Sequence, residues 1–411
     1  MRPVPKDPAA RDAGRPEGLD TAAAARHRVL DLAPRRRTAT AVQRAGDYRV
    51  DVSEDAEHQD WDEFLQRTPG GHHVQTSLWG QLKATQGWHP VRLLVSRDGA
   101  IVAGAQVLIR SLPLASAVAY VPKGPVCGSD SPVVREVMLD GLARLTKEYQ
   151  IRHMSVQPPN NGHSLVQPLL DAAYRPSATA VAPVATVEID VRAELDEILA
   201  RMRKNHRRYV RHGLRQGVVG RVGTEDDLKR FYGLVLATSR RQGFPPYPLE
   251  YFIKLWQLLH PRGLIELFLT EYGGELVSGQ LAIAFGDRVI AKNSGWTGQH
   301  SSLGPNYVME WTTLQWAKSH GYHYYDLEGV DVRAARLVRN GEPLTEKLRK
   351  THSFYKLGFG GEVTMYPRAY VIVPNRVLRW GYWALFPKIS EIRTIKGAMR
   401  RFRTRGRGSM G

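Results

Sequence analysis

Residues 352–361 read HSFYKLGFGG, one cation, Lys356, set among aromatics and glycines. Glycines let a backbone approach a ligand or take positive φ. A lysine against a dry aromatic wall is costly unless an anion meets it. The stretch therefore reads as a pocket that handles charge, or equally as a β-turn whose lysine snorkels to water. Lys83 stands four residues after Trp79, on the same face if 76–86 is helical; an exposed helix lysine is the plain alternative. Asp326 closes a strand in YYDLEG, where α/β sheets place functional groups, and a cap on the following turn fits as well. No Ser–His–Asp or Cys–His pattern is present, which speaks against a covalent acyl-enzyme. The single Cys127 and the adjacent His72 and His73 give no metal-ligand spacing. Neither a metal nor a cofactor is expected.

Residues 193–218, AELDEILARMRKNHRRYVRHGLRQGV, predict one helix. Leu195, Ile198, Met202, Tyr209, Val210 and Leu214 make an interrupted apolar stripe. Glu194, Asp196 and Glu197 sit where the helix dipole favours acids. Seven basic residues follow, among them Arg203, Lys204, Arg207, Arg208 and Arg211, several of them three or four apart. So dense a run of like charge suits an arriving polyanion, with a solvated face as the alternative.

The elements that must position these residues repeat. Residues 91–108 and 265–283 each read as a hairpin whose second strand carries a glycine, Gly104 or Gly279. Each is followed by a helix, over 133–150 or 306–320, and then by a strand, RHMSVQPP or HYYDLEGV. Hairpin, helix and strand occurring twice predict two similar α/β domains of mixed sheets. The seam between such domains is the default place for a large cleft. A chain of 411 residues fits two domains. We draw them at 47–190 and 191–375, between basic tails at 1–46 and 376–411. The tails carry +14 of the net +18, as suits RNA or an anionic membrane face. Trp380, Tyr382, Trp383 and Phe386 open the second tail with interfacial character. One cysteine and no spanning-length apolar run indicate a cytoplasmic protein, peripheral at most to the inner membrane face.

Several stretches together resemble the Fem family of tRNA-dependent aminoacyltransferases, which build peptidoglycan cross-bridges. They are VQTSLWGQLKATQGW (74–88), AYVPKGPV (119–126), MSVQPP (154–159), RRYVRHGLRQGV (207–218), SRRQGFPPYPLEYF (239–252), YYDLEGV (324–330) and FYKLGFGG (354–361). The resemblance implies two tandem N-acetyltransferase-like domains, aminoacyl-tRNA as donor, and lipid II or a UDP-linked muropeptide as acceptor. It assigns Lys356 to the oxyanion or the tRNA 3′ end, and Tyr355 and Phe354 to drying the site or stacking on the terminal adenine. Trp79, Lys83, Arg241, Tyr247, Tyr251 and Asp326 would hold substrate; Arg203, Lys204, Arg207, Arg208 and Arg211 would hold tRNA. A monomer is expected. The long helical arm of some members has no counterpart here, and Tyr247 stands where some members carry arginine. Two other classes compete: an acyl-CoA N-acyltransferase, whose pyrophosphate loop is absent at the strand–helix junction, and a non-enzymatic RNA- or membrane-binding protein. A Fem-like transferase acting on a non-peptidoglycan acceptor lies within the first reading.

Overall fold

The computed structural model describes residues 43–113, 116–375 and 379–380. The two tails thus lie outside the described residues, apart from a few positions at their inner ends.

Along the chain, β1 (Gln43–Ala45) and β2 (Tyr48–Ser53) lead to α1 (Gln59–Arg67) and α2 (Ser77–Ala84). Next come β3 (His89–Arg97), β4 (Ala100–Leu112), β5 (Ser116–Val121), β6 (Val126–Cys127), α3 (Pro132–Glu148) and β7 (Ile151–Val156). After α4 (Val166–Asp171) and β8 (Arg175–Pro176), β9 (Ala185–Asp190) begins the second sheet. That part continues with α5 (Leu195–Arg201), α6 (Lys204–Arg215), β10 (Val219–Val222), α7 (Leu228–Gln242) and α8 (Leu249–Leu259). Strands β11 (Ile265–Tyr272), β12 (Glu275–Phe285) and β13 (Arg288–Trp296) precede α9 (Pro305–Ser319) and β14 (Tyr324–Asp326). The chain closes with α10 (Val332–Arg339), α11 (Glu346–Arg349), α12 (His352–Lys356), β15 (Glu362–Met365) and β16 (Tyr370–Ile372).

The strands form two mixed sheets, ordered β1-β2-β3-β4-β5-β7-β16-β8 with β6 on β4, and β10-β11-β12-β13-β14-β9-β15. The repeat is deeper than a hairpin, a helix and a strand. Each sheet has three antiparallel strands in succession, a helix, and a strand returning parallel to the third: β3–β4–β5–α3–β7 and β11–β12–β13–α9–β14. Sheet membership also moves the boundary drawn at residue 190. Strand β9 lies inside the second sheet, and β16 returns to pair with β7 of the first. Neither short strand has a periodicity that names its sheet; the partners waiting in the fold do.

The expected single helix over 193–218 is two helices. Met202 and Arg203 take extended backbone at the break, which frees the Arg203 N–H to donate to the Gly358 carbonyl at 2.9 Å. A bond across the tertiary fold has replaced one inside the helix.

Both predicted strand glycines make room for an aromatic ring. A Cβ at Gly104 would lie 2.5 Å from the fully buried Trp61 of α1, and one at Gly279 3.1 Å from Phe231 of α7. Trp61 and Phe231 share an apolar cluster with α2, α8 and strands β11 and β12, so the parts drawn as two domains meet through one continuous core. Gly104→Ala should cost about 1–3 kcal/mol in urea unfolding, since packed neighbours must shift. Gly233→Ala, in α7 with nothing within 4 Å of the new methyl, should instead gain about 0.5–1 kcal/mol.

Candidate active site

In the second sheet, β13 and β14 pair in parallel only from Arg288 with Tyr324 to Ile290 with Asp326. Beyond that point β13 runs on to Trp296 while β14 ends, so the two strands separate and leave a gap. The chain after β14 turns sharply, with Glu328 at φ 44 and Gly329 at φ 50. A turn of this kind points its carbonyls outward.

Lys356 fills the gap from the end of α12. Its Nζ donates to the Glu328 carbonyl and, at 3.0 Å, to the Gly329 carbonyl. The stretch read as a charge-handling pocket or a β-turn is a short helix, closed by a 3₁₀ turn at Leu357–Phe359 and by Gly360 at φ 78. Its glycines are there for close approach. A Cβ on Gly358 would fall 2.0 Å from the His206 ring of α6, and the His206 Nε2 lies 2.9 Å from the Tyr355 carbonyl. Burial lowers the Lys356 pKa, while Glu328, Glu310 and Asp326 pull it back up. Beneath it, the buried Glu310 accepts from the Tyr325 hydroxyl and the Gln280 amide. Tyr355 places its hydroxyl 3.0 Å from the Asn306 carbonyl.

A chain of contacts crosses from here to the first sheet. The Lys292 Nζ bridges the gap to the Glu328 carboxylate and lies 5.5 Å from the Trp79 ring centroid; the Lys83 Nζ lies 5.2 Å from the same ring. Trp79 and Lys83 share a face of α2, as their spacing predicted. Tyr247 and Tyr251 stack at 4.1 Å at the start of α8, which packs on α2. Arg241 lies over Trp296, 4.9 Å from its ring centroid, at the far end of β13. The structure thus gathers Trp79, Lys83, Asp326 and Lys356 along one seam, with the tyrosine pair beside it and Arg241 at the β13 end.

Asp326 lies on the polar half of the sheet face turned to this seam. Its Oδ1 accepts from the Thr186 hydroxyl and from the Glu328 N–H at 2.7 Å. Burial raises its pKa to about 6, and Glu188 and Glu328 push the same way. The turn-cap role left open in the sequence is therefore real, in a residue that also faces the seam. A 610 Å³ cavity borders the same face at Glu188 and Arg288, but neither Lys356 nor Trp79 is in its wall.

The basic helix splits in its use. The Arg203 Nη1 donates to the Phe354 carbonyl at 3.1 Å, with its guanidinium 4.2 Å from the Phe354 ring centroid. The Arg207 Nη1 donates to the carbonyls of Ala200 and Met202. These two side chains brace the break and α12. Lys204, Arg208, Arg211 and Arg215 are exposed. Sequence reasoning missed a second basic surface on α10 and α11, with Arg333, Arg336, Arg339, Lys347, Arg349 and Lys350 exposed. The run VRAARLVRNGEPLTEKLRK carried that signal. It also missed Lys292, Glu328 and the histidine pair. His73 is 2% exposed, lies edge-on to Trp79, and has neither ring nitrogen hydrogen-bonded. No group of three or more His, Cys, Asp or Glu among the described residues can hold a metal ion. No described helix is long and apolar enough to cross a membrane.

The FemAB family profile matches residues 56–165, and an acetyltransferase (GNAT) domain profile matches residues 200–334. Over residues 56–165 the chain is thus similar to the FemAB family. The lipid II:glycine glycyltransferases of Staphylococcus aureus strains MRSA252 and COL are each 26% identical to it over 225 residues. Those matches cover 52% of this chain and 53% of theirs, so the chain spans about half the length of the curated relatives it matches. A crystal structure of FemX superposes with a TM-score of 0.69 at 19% identity, over 80% of this chain and 98% of that one. That likeness is one of fold, and the acetyltransferase profile falls on the second of the two mixed sheets.

The raised Asp326 pKa carries a stability signature. The folded state binds more protons than the unfolded chain between the ordinary value of 3.8 and about 6. Stability from this group therefore falls as pH rises through that window, and above it the buried charge costs up to about 3 kcal/mol. Asp326→Asn should raise the urea midpoint at pH 7.5 and leave it nearly unchanged at pH 4.

Proposed function

We propose that this protein moves an amino acid from aminoacyl-tRNA to an amine of a peptidoglycan precursor, lipid II or a UDP-linked muropeptide. The observation that carries the reading is the run of contacts Lys356–Glu328–Lys292–Trp79–Lys83, which joins the gap between β13 and β14 to the first sheet. A donor ester in the gap and an acceptor along the seam would meet beside Lys356. The names of the Staphylococcus aureus relatives favour lipid II as acceptor and glycine as one amino acid to try first.

The chemistry is attack of an amine on an ester carbonyl. The new C–N bond puts negative charge on the carbonyl oxygen, and a positioned donor lowers that barrier. Two N–H bonds of the Lys356 ammonium go to the Glu328 and Gly329 carbonyls; the third is left for the oxyanion. Tyr355 and Phe354 keep water from the ester. On the acceptor side, Lys83 and Arg241 supply charge for phosphates, and Trp79, Tyr247 and Tyr251 supply flat surface for sugar. The exposed basic residues of α6, together with those of α10 and α11, flank α12 and suit the RNA backbone.

The deciding assay offers a panel of charged tRNAs with lipid II in micelles, and acetyl-CoA as the rival donor. Transfer from acetyl-CoA alone would replace this reading with an acyl-CoA N-acyltransferase. Lys356→Met should lower kcat by about a hundredfold or more in a protein that still folds and still binds tRNA. Arg208→Glu with Arg211→Glu should weaken tRNA binding and reduce the log–log salt slope by about one per lost phosphate contact. Arg203→Met should act through stability instead, because its bonds support α12.

A further inference from the structure

Amine attack also requires a group to take the proton that the nitrogen sheds; the Asp326 and Glu328 carboxylates are already engaged by Thr186 and by Lys292. Lys123 is the strongest candidate in the seam. It follows β5 at φ 54, a conformation uncommon for a residue with a side chain. It is 2% exposed, although lysines are rarely buried without a partner of opposite charge. Its close contacts among the described residues are a 2.9 Å hydrogen bond to the Pro183 carbonyl and the Tyr366 ring, whose centroid is 4.0 Å away. Neither contact is a charge.

Lys123 and Lys356 come from opposite sheets and converge. Lys123 anchors on the Pro183 carbonyl, and Lys356 on the Gly329 carbonyl. These anchors are neighbours, since a Cβ on Gly329 would lie 3.6 Å from the Pro183 ring. Both lysines feel Asp326, Glu328 and Lys292. Their surroundings differ. Lys356 has two carbonyl acceptors, which favour its ammonium. Lys123 has one acceptor and an aromatic face in a drier place. Two like groups held differently at one site are the usual arrangement of an acid–base pair.

We propose that Lys123 is the proton acceptor of the transfer reaction, receiving the proton from the acceptor nitrogen while Lys356 holds the oxyanion. This rests on the aminoacyl-transfer reading above. As the C–N bond forms, one N–H proton passes to the Lys123 Nζ lone pair, and the Pro183 carbonyl and the Tyr366 face receive the new ammonium. When the ester C–O bond breaks, Lys123 returns that proton to the departing ribose oxygen. The lysine ends as it began, and no outside reagent is needed.

The groups around Lys123 allow it to be neutral at physiological pH. Burial brings its pKa down to about 7, against Asp326, Glu328 and Glu188 from the second sheet, and Lys292 lowers it further. His72 and His73, close by at the turn between α1 and α2, are held uncharged chiefly by burial. A base poised near the working pH combines a high unprotonated fraction with useful basicity.

Arginine is never deprotonated in this range, so Lys123→Arg separates a base from a structural cation. Both Lys123→Arg and Lys123→Met should lower kcat/KM by about a hundredfold or more at pH 7.5 and should lack the wild-type acid limb near pH 7. Both should keep wild-type tRNA affinity and melting temperature. If Lys123→Arg stays within about fivefold of wild type, the base role is overturned. Titration of ¹³C-lysine-labelled full-length protein without substrate, with Lys123→Arg to assign the signal, checks the same residue independently. A midpoint near 7 is expected, and one above about 9 overturns the proposal. Wild-type protein that transfers nothing from any charged tRNA, while Lys123 titrates near 7, would instead bring down the aminoacyl-transfer reading and the base role with it.

Discussion

The ammonium of Lys356, anchored on the carbonyls of Glu328 and Gly329, is the contact on which the site's arrangement depends. It holds α12 across the gap where β13 and β14 part. Much of the surrounding scaffold serves to keep it there. The break between α5 and α6 gives Gly358 a backbone partner, and His206 and Arg203 bond the carbonyls of Tyr355 and Phe354. A half-buried lysine is stable as a cation when its carbonyl acceptors are fixed, and the left-handed turn at Glu328 and Gly329 fixes them.

The second sheet turns toward the seam a face that changes character along its width. Under β11 and β12 it is apolar, with Ile265, Leu267, Leu281 and Ile283 packed into a cluster shared with α1 and α2. Under β13, β14 and β9 the same face carries Arg288, Asp326 and Glu188. The apolar half fastens the two sheets together by burying surface. The polar half, held closed by its neighbour, becomes a dry place where charges act strongly on one another. One sheet face thus provides both the adhesion and the electrostatic setting.

That setting costs stability. Asp326 and Lys123 are both held away from their ordinary ionisation by burial, and His73 is buried with unpaired nitrogens. Groups of this kind persist at functional sites because the reaction uses them. All of them lie in the seam that the two sheets share.

The sequence by itself determined the repeated hairpin–helix–strand units, the placing of Trp79 with Lys83, and the two strand glycines. These are local properties: hydrophobic period, turn residues and spacing along one helix fix them without reference to distant chain. Only the tertiary structure decided the rest. It exchanged β9 and β16 between the sheets, because a short strand goes where an unpaired edge awaits it. It broke the basic helix, because Arg203 N–H finds a better partner in Gly358 than in its own turn. It gave Arg203 and Arg207 to the scaffold and left Arg208 and Arg211 at the surface. Above all it brought Lys123, Lys292 and Asp326 together from segments up to about two hundred residues apart. The ionisation of such groups is set by burial and by neighbouring charge, and neither exists until the two sheets have closed on each other.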